Sequence, residues 1–295
     1  MHLTGNGRCR YPLFPMPTSL APASIAELTQ VAQRVRVHIV NMVFRAQSGH
    51  PGGSLSAVEL GVSLFWKHLR CDPANPDWPD RDRFILSKGH ATPFLYSVLA
   101  ERGYFSPELL DGFRTLGSPL QGHPSMGAAP GVEMSSGSLG QGLSFAIGHA
   151  LSGRLDRRDF HCWVMMGDGE LNEGQVWEAA GSASHFGLGN VCAIVDANQM
   201  GLDGTTEETM SVEPIGGRFE AFGWDVVEID GHDPEAILAA AAALPPATGD
   251  KPQCIVARTV KGKGVSYMEL SRTWHIGYLD PDDAAAATAE IDQRG

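Results

Sequence analysis

The sequence predicts an α/β protein: a doubly wound, mostly parallel sheet with helices on both faces. Two observations carry that reading. Short apolar runs of strand length alternate with longer stretches of helical period, and 295 residues at 43% hydrophobic content can bury a sizeable core. Length alone allows one large domain or two, and the unbroken alternation favours one.

Residues 1–23 are rich in Gly and Pro and are expected to form a loose N-terminal arm, with a single domain over 24–295. "SIAE" at 24–27 has capping-box spacing, and Ile25, Leu28, Val31, Val35, Ile39 and Met42 continue a helical stripe that should end near Ser48-Gly49. Buried strands are expected at "RFILS" (83–87), "CWVMM" (162–166), "VCAIVDA" (191–197), "WDVVEI" (224–229) and "QCIVARTV" (253–260). Helices are expected between them at 173–186 and at 233–244, the latter with Asp233 as N-cap and Pro234 in the first position.

A net charge of −12 opposes a nucleic-acid footprint, and the longest apolar run, "ILAAAAAL" at 237–244, is too short to span a bilayer. Five cysteines lie far apart without a C-x-x-C, two of them inside apolar runs, which suits reduced thiols in a cytoplasmic protein.

The chemistry concentrates at "MGDGELNEGQVWEAAGSASHFGLGNVCAIVDANQM" (166–200), where Asn198 follows Asp168 by thirty residues. If the strands on either side are parallel and joined by the intervening helix, both end side by side, and Asp168 meets Asn198 in the crevice where open α/β sheets bind ligands. A carboxylate with an amide oxygen suits a hard cation, Mg²⁺ or Ca²⁺, and Mg²⁺ completes its shell with water and phosphate oxygens. A phosphate-bearing ligand is therefore expected, approached closely by the glycines and by the N-terminus of the following helix. A G-D-G triplet alone is a common turn, and neither a dinucleotide fingerprint nor a P-loop is present.

With its partner Asn198, this segment closely resembles the thiamine diphosphate-binding half of transketolases. The resemblance implies metal ligands at Asp168, Asn198 and the Met200 backbone carbonyl, and a diphosphate contact at Gly169. Four further stretches match in order: "SGHPGGSLS" (48–56) with His50 facing the substrate channel, "LSKGHATPFLY" (86–96) with His90 at diphosphate and channel, "GHPSMGAAPGVEMSSGSLGQGLSFAIGHA" (122–150), and "TVKGKGVSYMELSRTWH" (259–275). The third implies His123 at the reacting end of the cofactor and Gly137 and Leu139 along the diphosphate and thiazolium; the fourth implies His275 at diphosphate and donor substrate. Five collinear motifs between about residues 24 and 280 make the match specific.

Lone histidines usually have structural roles, and His2, His38, His68, His149, His161 and His185 are read so; His232 is left open. Glu170, Glu173 and Glu178 suit an ordinary acidic first turn, whereas the resemblance implies that Glu173 joins a carboxylate network crossing a subunit interface near the cofactor.

Full-length transketolases carry a further domain that grips the aminopyrimidine ring. The match is closest to the N-terminal subunit of split transketolases, which implies a C-terminal partner subunit with that pyrimidine-binding domain, in an α2β2 assembly. The implied reaction passes a two-carbon ketol unit from a ketose, phosphorylated or not, to an aldose. Rival readings are a 2-oxo acid dehydrogenase alpha chain, a deoxyxylulose phosphate synthase, a transketolase for unusual sugars, or a non-catalytic cofactor-binding subunit. The paired "SGHPGG" and "SKGH" histidines favour ketol transfer over the first two.

Overall fold

The computed structural model describes residues 24–293; the expected arm at 1–23 lies outside them. The capping box forms: Ser24 Oγ accepts from the Glu27 N–H, and Glu27 Oε2 accepts from the Ser24 N–H. It opens helix α1 (Ile25–Ala46), whose predicted stripe is buried at Leu28, Val31, Val35, Ile39 and Met42 and half-buried at Ile25. The helix stops slightly earlier than the sequence suggests, at Gln47 in a left-handed conformation with φ of 49°. Helices α2 (Pro51–Leu55) and α3 (Val58–Lys67) lead to strand β1 (Arg83–Leu86), followed by α4 (Thr92–Arg102) and α5 (Gln141–Leu155).

Strand β2 (Cys162–Gly167), helix α6 (Gly174–His185) and strand β3 (Val191–Ala197) form the central crossover. The short α7 (Thr206–Thr209) and α8 (Ile215–Ala221) precede β4 (Asp225–Asp230), α9 (Pro234–Ala242), β5 (Gln253–Arg258) and α10 (Pro281–Gln293). Asp233 caps α9 by accepting from the Glu235 N–H, with Pro234 at the first turn as predicted.

All five predicted strands form one parallel sheet in the order β1-β2-β3-β5-β4. Alternation along each strand divides the interior into two cores. Phe84, Leu86, Trp163, Met165, Cys192, Ile194, Ile255 and Ala257 pack against α1, α3, α4, α9 and α10. Ile85, Cys162, Val164, Met166, Val191, Ala193, Val195, Cys254 and Val256 face α5, α6 and α8. Helices cover both faces, the doubly wound arrangement the sequence predicts.

Strand β4 departs from expectation. The sequence places it among the buried strands, but it is an edge strand with most residues exposed, Val227 by 38%. Its apolar residues are interrupted by Asp225, Glu228 and Asp230, and only one side has a strand neighbour. Cys71, Cys162, Cys192 and Cys254 are free thiols, the last three buried, and Cys9 falls outside the described residues. Among the described residues no helix is long and apolar enough to cross a membrane.

Candidate active site

Strands β2 and β3 pair with Gly167 opposite Asp196, so the chain leaves both strands at the same end of the sheet. Asp168 and Asn198 are neighbours as predicted: Asp168 Oδ2 accepts from the Gln199 N–H at 2.6 Å, and Oδ1 accepts from the Gly169 N–H at 2.8 Å. Asn198 Oδ1 accepts from the Met200 N–H at 3.1 Å, while its Nδ2 donates to Asp196 Oδ2 at 3.1 Å. Gln199, with φ of 62°, makes the turn that folds Met200 back.

The donor set fits a hard cation. Asp168, Asn198 and Met200, which can offer a carboxylate, an amide oxygen and a backbone carbonyl, all line one cavity of about 390 Å³. Burial, reinforced by the nearby Asp196 charge, pushes the Asp168 carboxyl up to about 6. A cation beside it would reverse that penalty. The Met200 carbonyl accepts from Lys261 Nζ at 3.1 Å, so a positive charge already sits against this oxygen.

The same cavity gathers His50, His90, His123 and His275, together with Gly137, Leu139 and Gly169. His50 is central: its ring lies 5.2 Å from His90, 6.2 Å from His123 and 5.6 Å from His275, and His90 and His275 are 5.4 Å apart. Burial and then neighbouring cationic groups depress all four. His50 and His275 are held at about 4, His90 well below its ordinary value, and His123 lowered by burial and Arg114. At neutral pH they are uncharged imidazoles. His275 Nδ1 accepts from Lys261 Nζ at 2.7 Å, which puts its proton on Nε2. Two glycines make the wall possible. A Cβ on Gly137, whose φ is 148°, would sit 3.0 Å from His123 Cδ2, and one on Gly89 would sit 2.6 Å from the Gly137 nitrogen.

Four charged residues at the site were not singled out from sequence as parts of it. Lys88 Nζ donates to Asp196 and, at 2.8 Å, to the Gly53 carbonyl. Burial opposes ionisation of Asp196, but the Lys88 ammonium and the Ser56 and Thr259 hydroxyls outweigh it and hold the carboxyl below its ordinary range. Burial brings Lys261 down to about 8. Glu170 is buried rather than lying on a solvated first turn. It accepts from the Ser87 hydroxyl, from Gly140 N–H at 2.7 Å and from Gly167 N–H at 3.1 Å, and burial raises its carboxyl. The signal for Asp196 was available, as a carboxylate inside an otherwise apolar strand run.

Glu173 is not brought together with the others: it is exposed at the N-cap of α6 and does not border the cavity. The helix expected at 173–186 forms as α6, and a 3-10 turn over Gly169–Asn172 lies between it and the G-D-G triplet. His232 has a structural place, with Nδ1 3.0 Å from Glu59 Oε2 and Nε2 accepting from the Val260 N–H at 2.8 Å.

Residues 28–292 match the family described as "Transketolase, thiamine diphosphate binding domain". The chain belongs to the transketolase family. It is 39% identical over 263 residues to a subunit of the apulose-4-phosphate transketolase of Phocaeicola vulgatus, covering 89% of this chain and 93% of that protein. It is 40% identical to the SqwG subunit of the 6-deoxy-6-sulfo-D-fructose transketolase of Clostridium sp., covering 91% of this chain and 98% of the relative. The solved transketolase of Campylobacter jejuni superposes with a TM-score of 0.85 at 34% identity, over 92% of this chain and 43% of that one. This chain thus spans less than half of that transketolase and nearly all of the two smaller relatives. It is the thiamine diphosphate-binding part of a transketolase, a transferase.

Proposed function

We propose that this chain is the N-terminal subunit of a two-chain transketolase that moves a two-carbon ketol unit from a ketose donor with an anionic end to an aldose, with Mg²⁺ or Ca²⁺ held by Asp168, Asn198 and the Met200 carbonyl. The observation that carries the reading is one cavity lined by Asp168, Asn198 and Met200 together with His50, His90, His123 and His275. Thiamine diphosphate, when bound, supplies the reactive carbon for breaking and making the carbon–carbon bond. The protein's part is to hold and protonate. Gly137, Leu139 and Gly169 line the cavity and would hold the diphosphate and thiazolium, and His90 and His275 would contact the diphosphate.

An uncharged imidazole can take a proton from a hydroxyl or donate its own N–H to a carbonyl oxygen. His50, His90, His123 and His275 provide both functions around one small volume. The Lys261 ammonium fixes the His275 tautomer and presents Nε2–H as a donor.

The partner is a C-terminal subunit with the pyrimidine-binding domain, in an α2β2 assembly to which exposed Glu173 contributes an interface carboxylate. The extent of the Phocaeicola and Clostridium relatives, each named as one subunit of a transketolase, supports a chain of this kind. Their names point to ketoses bearing a phosphate or sulfo group, and the donor here is a ketose with such an anionic end. Free, buried thiols support a cytoplasmic setting.

The test is affinity purification of the tagged chain from its native cells with intact-mass analysis of its companions. A stoichiometric companion of about 300 residues, in the usual range of domain sizes, that yields ketol transfer with the chain is the expected result. Recovery of the chain alone as a dimer would overturn the two-chain assembly. Asp168→Ala should abolish Mg²⁺-dependent cofactor binding, and tight binding by that variant would remove the metal assignment.

A further inference from the structure

Three of the five motifs each send one polar side chain to the same buried carboxylate, which lies in a fourth. Ser56 Oγ donates to Asp196 Oδ2 at 2.6 Å, Lys88 Nζ donates to the same oxygen, and Thr259 Oγ1 donates to Oδ1. The fourth donor is Asn198 Nδ2, 3.1 Å from Oδ2. Asp196 has no exposed surface, and the Lys88 side chain opposite is 2% exposed.

An amide has one accepting end and one donating end, and a hard cation binds only the oxygen. Here the carboxylate on one side takes the NH₂, and the Met200 N–H on the other side lies against Oδ1 at 3.1 Å. Either contact reversed would set like against like: NH₂ against N–H, or oxygen against carboxylate. The Met200 N–H occupies one lone-pair direction of Oδ1 and leaves the other for a ligand. The donors from Ser56, Lys88 and Thr259 in turn fix the carboxylate that fixes the amide.

We propose that Asp196 is a positioning residue for the metal: by accepting from Asn198 Nδ2 it keeps Oδ1 turned to the cation, and it ties that orientation to the segments carrying His50, His90 and His275. The inference rests on the proposed metal site and concerns how that site is held. Outer partners of this kind typically contribute 10–100-fold to metal affinity.

The test separates orientation from ligand charge. Asn198→Asp adds a second carboxylate and, counted by ligand charge alone, should tighten a divalent cation. If Asp196 orients the ligand, the new carboxylate has no N–H to donate, is repelled by Asp196 and turns away. The half-saturating Mg²⁺ for thiamine diphosphate binding, measured by equilibrium dialysis on the chain in its native assembly, should then rise by about 10–100-fold. Asp196→Ala should raise it similarly; because that change strands the Lys88 charge, Asn198→Asp, which keeps the ion pair, decides the matter. Asn198→Asp binding Mg²⁺ as tightly as the wild type, or more tightly, overturns the proposal. A wild-type assembly whose cofactor binding ignores Mg²⁺ overturns the metal site itself, and the positioning role with it.

Discussion

The Lys88–Asp196 ion pair sets up a stability experiment whose outcome depends on which partner is removed. Both side chains are almost wholly enclosed, and removing one member of a buried pair typically costs about 3–5 kcal/mol because the other charge is left uncompensated. The two losses are unequal here. Lys88→Met leaves the carboxylate with three donors, from Ser56, Thr259 and Asn198, so the cost should fall near the lower end, about 3 kcal/mol. Asp196→Asn leaves an ammonium with only the Gly53 carbonyl and an amide oxygen, and should cost nearer to about 5 kcal/mol. At about 2.1 cal/mol/K of unfolding entropy per residue, these are shifts of roughly 5–8 °C in Tm for a chain of 295 residues. The double variant removes both charges together and should cost less than Asp196→Asn alone. Urea melts of the four proteins give the coupling directly. Singles that add in the double to within about 0.5 kcal/mol, or a Lys88→Met variant less stable than Asp196→Asn, would refute the reasoning.

Asp168 makes the apo chain's stability fall with pH: its carboxyl holds a proton to about 6 against an ordinary 3.8, so between those values the unfolded chain releases a proton that the folded chain keeps. Its contribution is fully present below about pH 4 and lost above about pH 6, on the order of 3 kcal/mol; urea melts against Asp168→Asn, which lacks the titration, should show the difference, and parallel profiles would refute it. His50 and His275, held at about 4, should show no imidazole titration by NMR between pH 8 and 5.5, and a transition near 6.5 in either would contradict the burial argument. Gly61→Ala would place a Cβ 2.3 Å from the Phe94 ring and should cost about 1–3 kcal/mol in a urea melt, whereas Gly169→Ala meets nothing within 4 Å and should leave the melt unchanged. Glu170→Gln sets an amide NH₂ against the Gly140 or Gly167 N–H and should cost about 1–3 kcal/mol, with an unchanged melt as the contrary result.

The strands were legible because an apolar run bounded by polar turns has few other uses, and all five proved to be strands. Their burial was less legible. "WDVVEI" resembles a core strand in local composition, and only the neighbours that a strand acquires in the sheet decide whether its faces are covered. Asp168 and Asn198 could be paired from sequence because a strand–helix–strand unit has one common hand. The four histidines could not be placed by spacing: they come from loops between residues 50 and 275, and only the family resemblance united them. Lys88 and Lys261 stood within quoted motifs, yet a lysine beside glycines ordinarily reads as solvated. What buries them is a carboxylate at the end of β3 and a carbonyl in the next turn, partners 108 and 61 residues away.

The exposed outer strand constrains how this chain can join others. Along β4, Asp225, Glu228 and Asp230 place three carboxylates on a strand with no strand neighbour on its outer side, and Asp225 and Glu228 are paired with Lys251 and Arg258 on or beside β5. Such an edge discourages growth of the sheet by strand addition. The proposed two-chain assembly would then have to use surfaces of the chain other than the free edge of β4.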